Sequence, residues 1–252
     1  MKNREPLLRV EGLRKSFGGV MAVAGIAFEM KQGELLGVIG PNGSGKTTLV
    51  NLITGFVKPS AGQVFYRGKN ISGWPPYRVV SKGIARTFQM VRPFYQIPAY
   101  KNLIVPLCSP RVKKMAGGRY GDRDAVALDM LEEVGFERDS FVSHKVASSL
   151  PQGYLKRLEL AKAISLRPEL IILDELFSGL SLAEVASIVP IIEKLRVQGK
   201  TIIMIEHRLK ELFRIADRIM VLNYGRKIAE GPAEAVMEDD AVKKAYLGTE
   251  TG

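Results

Sequence analysis

The chain has 252 residues, 46% hydrophobic and 25% charged, an ordinary soluble composition with no low-complexity tract or internal repeat, and long enough for one large domain or two small ones. Its apolar runs, such as LLGVIG (35–40) and LIIL (170–173), fall far short of the roughly 18–20 residues a membrane helix needs, and the opening MKNREPLLRVEG lacks the apolar core of a secretory signal. Cys108 stands alone, which excludes a disulfide within the chain and fits a reducing, cytoplasmic setting, while the net charge of +11 favours polyanions (nucleic acid, an anionic membrane face or phosphorylated small molecules) without choosing among them.

Strands are expected at 7–17, at 25–34 and at 35–40. The last is an unbroken apolar run, the pattern of a strand covered on both faces. A helix follows over 46–56, closed by Pro59 and Gly62, and GQVFYRG (62–68) reads as another strand. Residues 91–147 differ in texture. They carry four prolines (93, 98, 106 and 110), a basic run from Arg111 to Lys114, a turn at GGRYGDRD (117–124) and one clear helix at 125–136. The stretch SSLPQGYLKRLELAKAI (148–164) is a basic helix with an odd beginning. From Pro168 onward strands and helices alternate, with strands at 169–175, 200–207 and 217–225 and helices at 184–199 and 209–216, and RKIAEG (226–231) closes the series. Alternation of this kind predicts an α/β fold with a mostly parallel sheet, interrupted by a helical insert.

GPNGSGKT, Gly40 to Thr47, fits the G-x-x-x-x-G-K-[ST] phosphate loop between an apolar strand and a helix. Gly40, Gly43 and Gly45 let the backbone wrap a phosphate chain, with Pro41, Asn42 and Ser44 completing the turn. Thr47 and Thr48 open a helix whose first N–H groups face the anion. Lys46 is expected on the β- and γ-phosphates, and the Thr47 hydroxyl on Mg²⁺. The sequence therefore predicts a protein that binds a nucleoside triphosphate.

Other candidates follow from strand ends. ELIILDE places Asp174 at the sheet edge shared with the phosphate loop, as a Mg²⁺ ligand, and Glu175 one residue on, where it can polarise the water attacking the γ-phosphate. TIIMIEH repeats the design and puts His207 at the same edge. Gln89 closes GIARTFQ, a further expected strand, with its amide oxygen available to Mg²⁺. Phe17, before a glycine turn, can stack on a purine or simply pack. His144 reads as a surface residue.

In order, KSFGG, GPNGSGKTT, ARTFQ, LPQGYLKRLELAKAI, LIILDE, SGLS and IIMIEH resemble the ATP-binding cassette (ABC) ATPases over nearly the whole chain. ARTFQMVRPF and the ending KKAYLGTETG are similar to the ATPase subunits of branched-chain amino-acid importers. The resemblance implies a P-loop NTPase (RecA-like) core, residues 1–90 and 165–252, with an antiparallel β part and an inserted helical subdomain, residues 91–164. It implies ATP and Mg²⁺ as cofactors, with Lys46, Gln89, Glu175 and His207 catalytic. Leu150-Pro151-Gln152-Gly153-Tyr154 then stands where the family has its signature LSGGQ. There, in a head-to-tail dimer, the signature helix of one subunit points its N-terminus at the γ-phosphate held by the other. Pro151 and Gly153 would accordingly serve the partner's nucleotide, and a helix N-terminus is an anion site on physical grounds as well.

This chain departs from the family pattern at Pro151, which removes a hydroxyl and a backbone N–H, at Gln152 and Tyr154, at Leu176 after the glutamate, and at Ser181 in SGLS. Ser148 and Ser149 stand where a capping hydroxyl could compensate. The resemblance further implies transmembrane permease subunits as partners, a second ATPase subunit (the same chain or a paralogue), a substrate-binding protein upstream, no nucleic acid, and a place on the cytoplasmic face of the cell membrane. Readings of other classes are a soluble ABC ATPase acting on nucleic acid or ribosomes, the ATPase of a lipid or lipopolysaccharide exporter, and an idle nucleotide switch.

Overall fold

The computed structural model describes residues 5–117, 121–138 and 140–247. Among these, two sheets form. β1 (Leu8–Phe17), β2 (Val20–Met30), β4 (Ala61–Tyr66) and β5 (Lys69–Asn70) make an antiparallel sheet in the order β2-β1-β4-β5. β3 (Leu35–Ile39), β6 (Ile84–Arg86), β7 (Leu170–Asp174), β8 (Thr201–Ile205) and β9 (Arg218–Asn223) run parallel. β10 (Arg226–Gly231) joins β9 antiparallel, and the second sheet reads β10-β9-β3-β8-β7-β6.

The apolar strands are buried on both faces because each alternates between two cores. Leu36, Val38, Ile172, Ile203 and Ile205 face the core shared with the antiparallel sheet and with α1 (Lys46–Ile53). Leu35, Ile39, Ile171, Leu173, Ile202 and Met204 face the other, which is filled by α5 (Arg123–Glu133), α6 (Gln152–Ser165), α7 (Leu182–Val197) and α8 (Leu209–Ile215). The helical region therefore shares its core with the sheet.

The insert is broken where its prolines fall. α3 (Ile104–Leu107) is a single turn, and α4 (Pro110–Met115) starts on Pro110 with Ser109 accepting from Val112 N–H. Asp122 caps α5 through the N–H groups of Asp124 and Ala125. The basic run from Arg111 to Lys114 is not one exposed surface. Arg111 donates to the Arg167 carbonyl and to Glu169, tying α4 to the entry of β7, and Val112 is buried.

Three sequence expectations change. β2 begins at Val20 rather than 25, because its first residues pair with the end of β1. The strand expected through Gln89 ends at Arg86, after which Thr87 turns its hydroxyl to the Asp174 N–H. α2 (Pro76–Ser81), α9 (Ala233–Glu238) and α10 (Asp240–Leu247) were not anticipated; they are short and lack long apolar periodicity. Of the expected turn at 117–124, residues 118–120 lie outside the described residues, as do residues 248–252 of the ending.

Candidate nucleotide site

β3 delivers the chain to Gly40, whose φ of +150° and close neighbours leave no room for a side chain: a Cβ there would meet the Leu222 carbonyl at 2.1 Å. Gly45, the N-cap of α1, has φ +103°, and its Cβ would meet the Ala22 carbonyl at 2.4 Å. The loop is thus pressed between the ends of β9 and β2. Lys46 is buried and bends back over the loop, donating from Nζ to the carbonyls of Gly40 (2.7 Å) and Pro41 (3.0 Å). Burial pulls its pKa below the ordinary lysine value, and Glu175 and Asp174 pull it back. Asn42, Gly43 and Thr47 are exposed, Pro41 and Thr48 half-buried, and Ser44 buried. A cradle of backbone N–H groups with one lysine fits a phosphate chain.

Asp174 ends β7, and Arg86, half-buried at the end of β6, donates from one guanidinium nitrogen to Asp174 Oδ2 and from another to Asn51 Oδ1 on α1, each at 2.6 Å. Phe88 and Phe56 lie 5.2 and 5.8 Å from the guanidinium. One residue on, Glu175 adopts φ +49°, a left-handed conformation unusual for any residue but glycine. Gln89 Nε2 donates to Glu175 Oε2 at 2.6 Å, and His207 Nε2 lies 3.1 Å from Oε1. An ionised carboxylate only accepts, so this contact is a hydrogen bond in the tautomer that carries a proton on His207 Nε2. Next to it Glu206 is buried. It accepts from Phe177 N–H at 2.8 Å, and burial raises its pKa to about 7.

Lys46, Asp174, Glu175, Gln89 and His207 therefore gather at one edge, where the parallel strands end. Phe17 ends β1 with 49% of its surface exposed, and Lys15 Nζ lies 5.1 Å from its ring centroid. Pro151 and Gln152 open α6 exposed, whereas Gly153 is buried and its open side faces the same chain: a Cβ there would meet Glu184 Oε1 at 2.4 Å. Neither serine caps this helix. The N-cap, Pro151, makes no side-chain cap, and Ser149 Oγ donates back to the Val146 carbonyl at 2.9 Å. The Gly153 N–H faces the Glu184 carboxylate, adding to the larger lowering of its pKa by Ser181. The oxygen donors present suit a hard cation: Thr47 hydroxyl, the Gln89 amide oxygen, which its contact through Nε2 leaves unused, and Asp174 Oδ1, opposite the oxygen held by Arg86.

Sequence reasoning missed Arg86, Lys156 and Glu184. Arg86 sat inside the quoted ARTFQ as a charge in a strand. Lys156 falls three residues after Gly153 and four before Leu160, on the buried stripe of α6, where a hydrophobic residue is the rule. Glu184 was visible as the N3 residue of a capping box begun by Ser181, but its contact with Gly153 depends on tertiary packing.

The family model for ABC transporter matches residues 23–178, spanning the phosphate loop and Asp174–Glu175. The chain belongs to the ABC transporter ATP-binding family. ABC ATPases hydrolyse ATP to drive transport, and a second family model, the branched-chain amino acid ATP-binding cassette transporter, matches residues 226–251. The high-affinity branched-chain amino acid transport ATP-binding protein BraF of Pseudomonas aeruginosa is 36% identical, covering 96% of this chain and 98% of its own length. The high-affinity branched-chain amino acid transport ATP-binding protein LivG of Escherichia coli K12 is 35% identical, covering 97% of this chain and 98% of its own length. Among solved structures, the ADP conformation of an ATP-binding cassette of an ABC transporter matches with TM-score 0.84 and 31% identity over 96% of this chain and 99% of that one. A nucleotide-free ATP-binding cassette matches with TM-score 0.85 at 30% identity. Nucleotide binding and the mixed α/β P-loop fold expected from the sequence follow from these likenesses.

Proposed function

We propose that this ABC ATPase powers the import of branched-chain or similar amino acids through separate transmembrane permease subunits. The observation that carries the catalytic part is the meeting of Gln89 and His207 on the two oxygens of Glu175, at the edge that holds the phosphate loop. In this reading Gly40 to Thr48 cradle the phosphates and Lys46 leaves its own loop carbonyls for the β- and γ-oxygens. Phe17 stacks on the purine. Glu175 polarises the attacking water, oriented by the donors Gln89 and His207. Thr47, Gln89 and Asp174 hold Mg²⁺, which when bound supplies charge neutralisation at the phosphates.

Pro151 and Gly153 serve the nucleotide of a second ATPase subunit, packed head to tail. Residues 1–90 and 165–252 form the nucleotide-binding core and 91–164 the helical subdomain. Among the described residues no helix is long and apolar enough to cross a membrane, and we assign the chain to the cytoplasmic face, beneath permease subunits that receive amino acids from a binding protein. An apolar groove of about 430 Å³ fits a cytoplasmic loop of the permease. It is lined by Phe88, Phe94, Val105, Pro106 and Leu166 and is continuous with the segment that carries Gln89. A reading in which the basic charge serves nucleic acid rests on the net charge of +11 alone.

The test is Glu175→Gln, examined for ATP hydrolysis, ATP affinity and mass by light scattering with and without Mg-ATP. The expected outcome is a loss of hydrolysis of about 100-fold or more, with ATP affinity within a few-fold and a dimer that appears only with ATP. Hydrolysis at the wild-type rate would remove Glu175 from the reaction. A monomer that still binds ATP would mean that the second half-site comes from a different ATPase or needs the membrane subunit.

A further inference from the structure

Lys156 lies one turn into α6 and is 1% exposed. A long cationic side chain is rarely found so deep, because an ammonium taken out of water must have its donors matched. Its Nζ donates to two backbone carbonyls, Gln89 at 2.9 Å and Glu175 at 3.0 Å. These are the two residues whose side chains meet at the catalytic edge. Burial draws the lysine's pKa down, and the carboxylates of Glu206, Glu175, Glu159 and Asp174 oppose that.

The backbone of Glu175 needs such a holder. Its φ of +49° costs free energy for a residue with a Cβ and persists only when the surroundings over-determine it. Its N–H donates to the Ile205 carbonyl at 2.9 Å, and its own carbonyl accepts from Lys156. The residue is gripped on both sides. Rotation back to an ordinary φ would swing the carboxylate away from Gln89 Nε2 and His207 Nε2. The same ammonium pins the carbonyl of Gln89, fixing the start of the segment that leads into the apolar groove.

We infer that Lys156 is a positioning residue for hydrolysis, holding Glu175 and Gln89 in register through their backbone carbonyls and linking that geometry to the helix whose first turn carries Pro151 and Gly153. The inference rests on the reading of Glu175 as the group that polarises water. Lys156 acts through these two carbonyls, from 1% exposure behind the catalytic edge. A closing movement that displaces α6 moves the support of this chain's own glutamate, so events at the partner's phosphate reach the local catalytic edge through one side chain.

The experiment compares Lys156→Met, Lys156→Arg, Glu175→Gln and the double variant Lys156→Met/Glu175→Gln, all as the full chain. Unfolding temperature, affinity for a fluorescent ATP analogue, and kcat and KM for ATP are measured for each. Methionine keeps the stem and removes the donors; arginine restores donors and charge. The expected result for Lys156→Met is a kcat lowered about 10- to 30-fold, with KM and nucleotide affinity within twofold. Lys156→Arg should recover a large part of that loss. The double variant should hydrolyse no slower than Glu175→Gln alone, since a holder has no effect once its client is gone. Wild-type kcat in Lys156→Met overturns the inference, as does a loss matched by equal falls in ATP affinity and unfolding temperature, or a further loss in the double variant. Full hydrolysis in Glu175→Gln instead sinks the reading of Glu175 itself, whereas an inactive Glu175→Gln beside an active Lys156→Met sinks only the role of Lys156.

Discussion

The catalytic edge of the parallel sheet and the first turn of α6 are both built for anions, yet they are finished to different degrees. At the edge each charge has a partner within the chain: Lys46 on its own loop, Asp174 on Arg86, Glu175 on Gln89 and His207, Glu206 on the Phe177 N–H. At the start of α6, Pro151 and Gln152 are exposed, the N-cap Pro151 has no side-chain acceptor, and the first turn carries no acidic residue of its own. The carboxylate that does lie against Gly153 comes from Glu184 at the start of α7. A site completed inside one chain can satisfy its charges before ligand arrives. The start of α6, which we propose another chain completes, leaves Pro151 and Gln152 open to it while Gly153 is covered by Glu184.

The largest test of this contrast is Arg86→Met. Arg86 and Asp174 have side chains only 7% and 4% exposed, so removing the arginine leaves a buried carboxylate without its counter-ion. Loss of one member of such a pair costs about 3–5 kcal/mol. Denaturant unfolding at neutral pH should show a loss of that order, while Pro151→Ala at the other region should cost less than about 1 kcal/mol. Similar small losses at both positions would mean that the edge is no more tightly tied than the helix start.

Glu206 supplies the next. Its carboxyl titrates near 7 in the folded chain against 4.5 ordinarily, so between those pH values the folded state binds more protons than the unfolded state. Stability from this residue is therefore greatest below about pH 4.5 and falls as pH rises to 7, by about 3 kcal/mol for a gap of that size. The groups facing it are the N–H groups of Phe177 and His207 and the Lys156 ammonium, which favour its charged form, and Glu175, which opposes it. Burial outweighs them. Unfolding free energies of Glu206→Gln measured from pH 4.5 to 7.5 should lack this fall, and an unchanged slope would show that the burial of Glu206 is compensated.

How far these features were legible follows the range over which they are made. The phosphate loop is local: six residues between a strand and a helix, with glycine required at 40 and 45 by close contacts, so pattern alone located it. Asp174, Glu175 and His207 were marked as candidates because the apolar runs of β7 and β8 give way to polar residues at or just past their ends. Gln89 was found although its strand stops three residues earlier, since the motif and not the strand marks it. Arg86, Lys156 and Glu184 were not found. Their partners lie 88, 67 and 31 residues away in sequence, and a charge in a strand or on a buried helical stripe does not reveal which carbonyl or carboxylate it meets.

Lys46→Ala is smaller than the first two effects and acts on binding. Its ammonium already sits over the loop, so a phosphate chain exchanges two neutral carbonyl acceptors for charged ones. A hydrogen bond to a charged group is worth about 1.5–3 kcal/mol, or about 10- to 100-fold in ATP affinity. Calorimetric titration with Mg-ATP should show that loss, while Pro151→Ala leaves the affinity of the isolated chain unchanged. Equal losses from both would place the start of α6 at this chain's own nucleotide and remove the division between the two regions.

Pro151→Ser has the smallest expected effect and addresses the half-site directly. Serine restores a backbone N–H and a hydroxyl that can accept from the N–H groups one turn into the helix, a cap worth about 1 kcal/mol. In a chain of this size that raises the unfolding temperature by about 2–4 °C. In the head-to-tail arrangement we propose, the stabilised, better furnished helix end would face the partner's phosphate, so the gain in hydrolysis, several-fold at most, should belong to the partner's site. Mixed dimers separate the two possibilities. With Pro151→Ser in one chain and Glu175→Gln in either, hydrolysis should rise only when the intact Glu175 belongs to the other chain. A rise in both arrangements would mean that the helix start acts on its own chain, through Lys156 and the carbonyl of Glu175, rather than across the dimer.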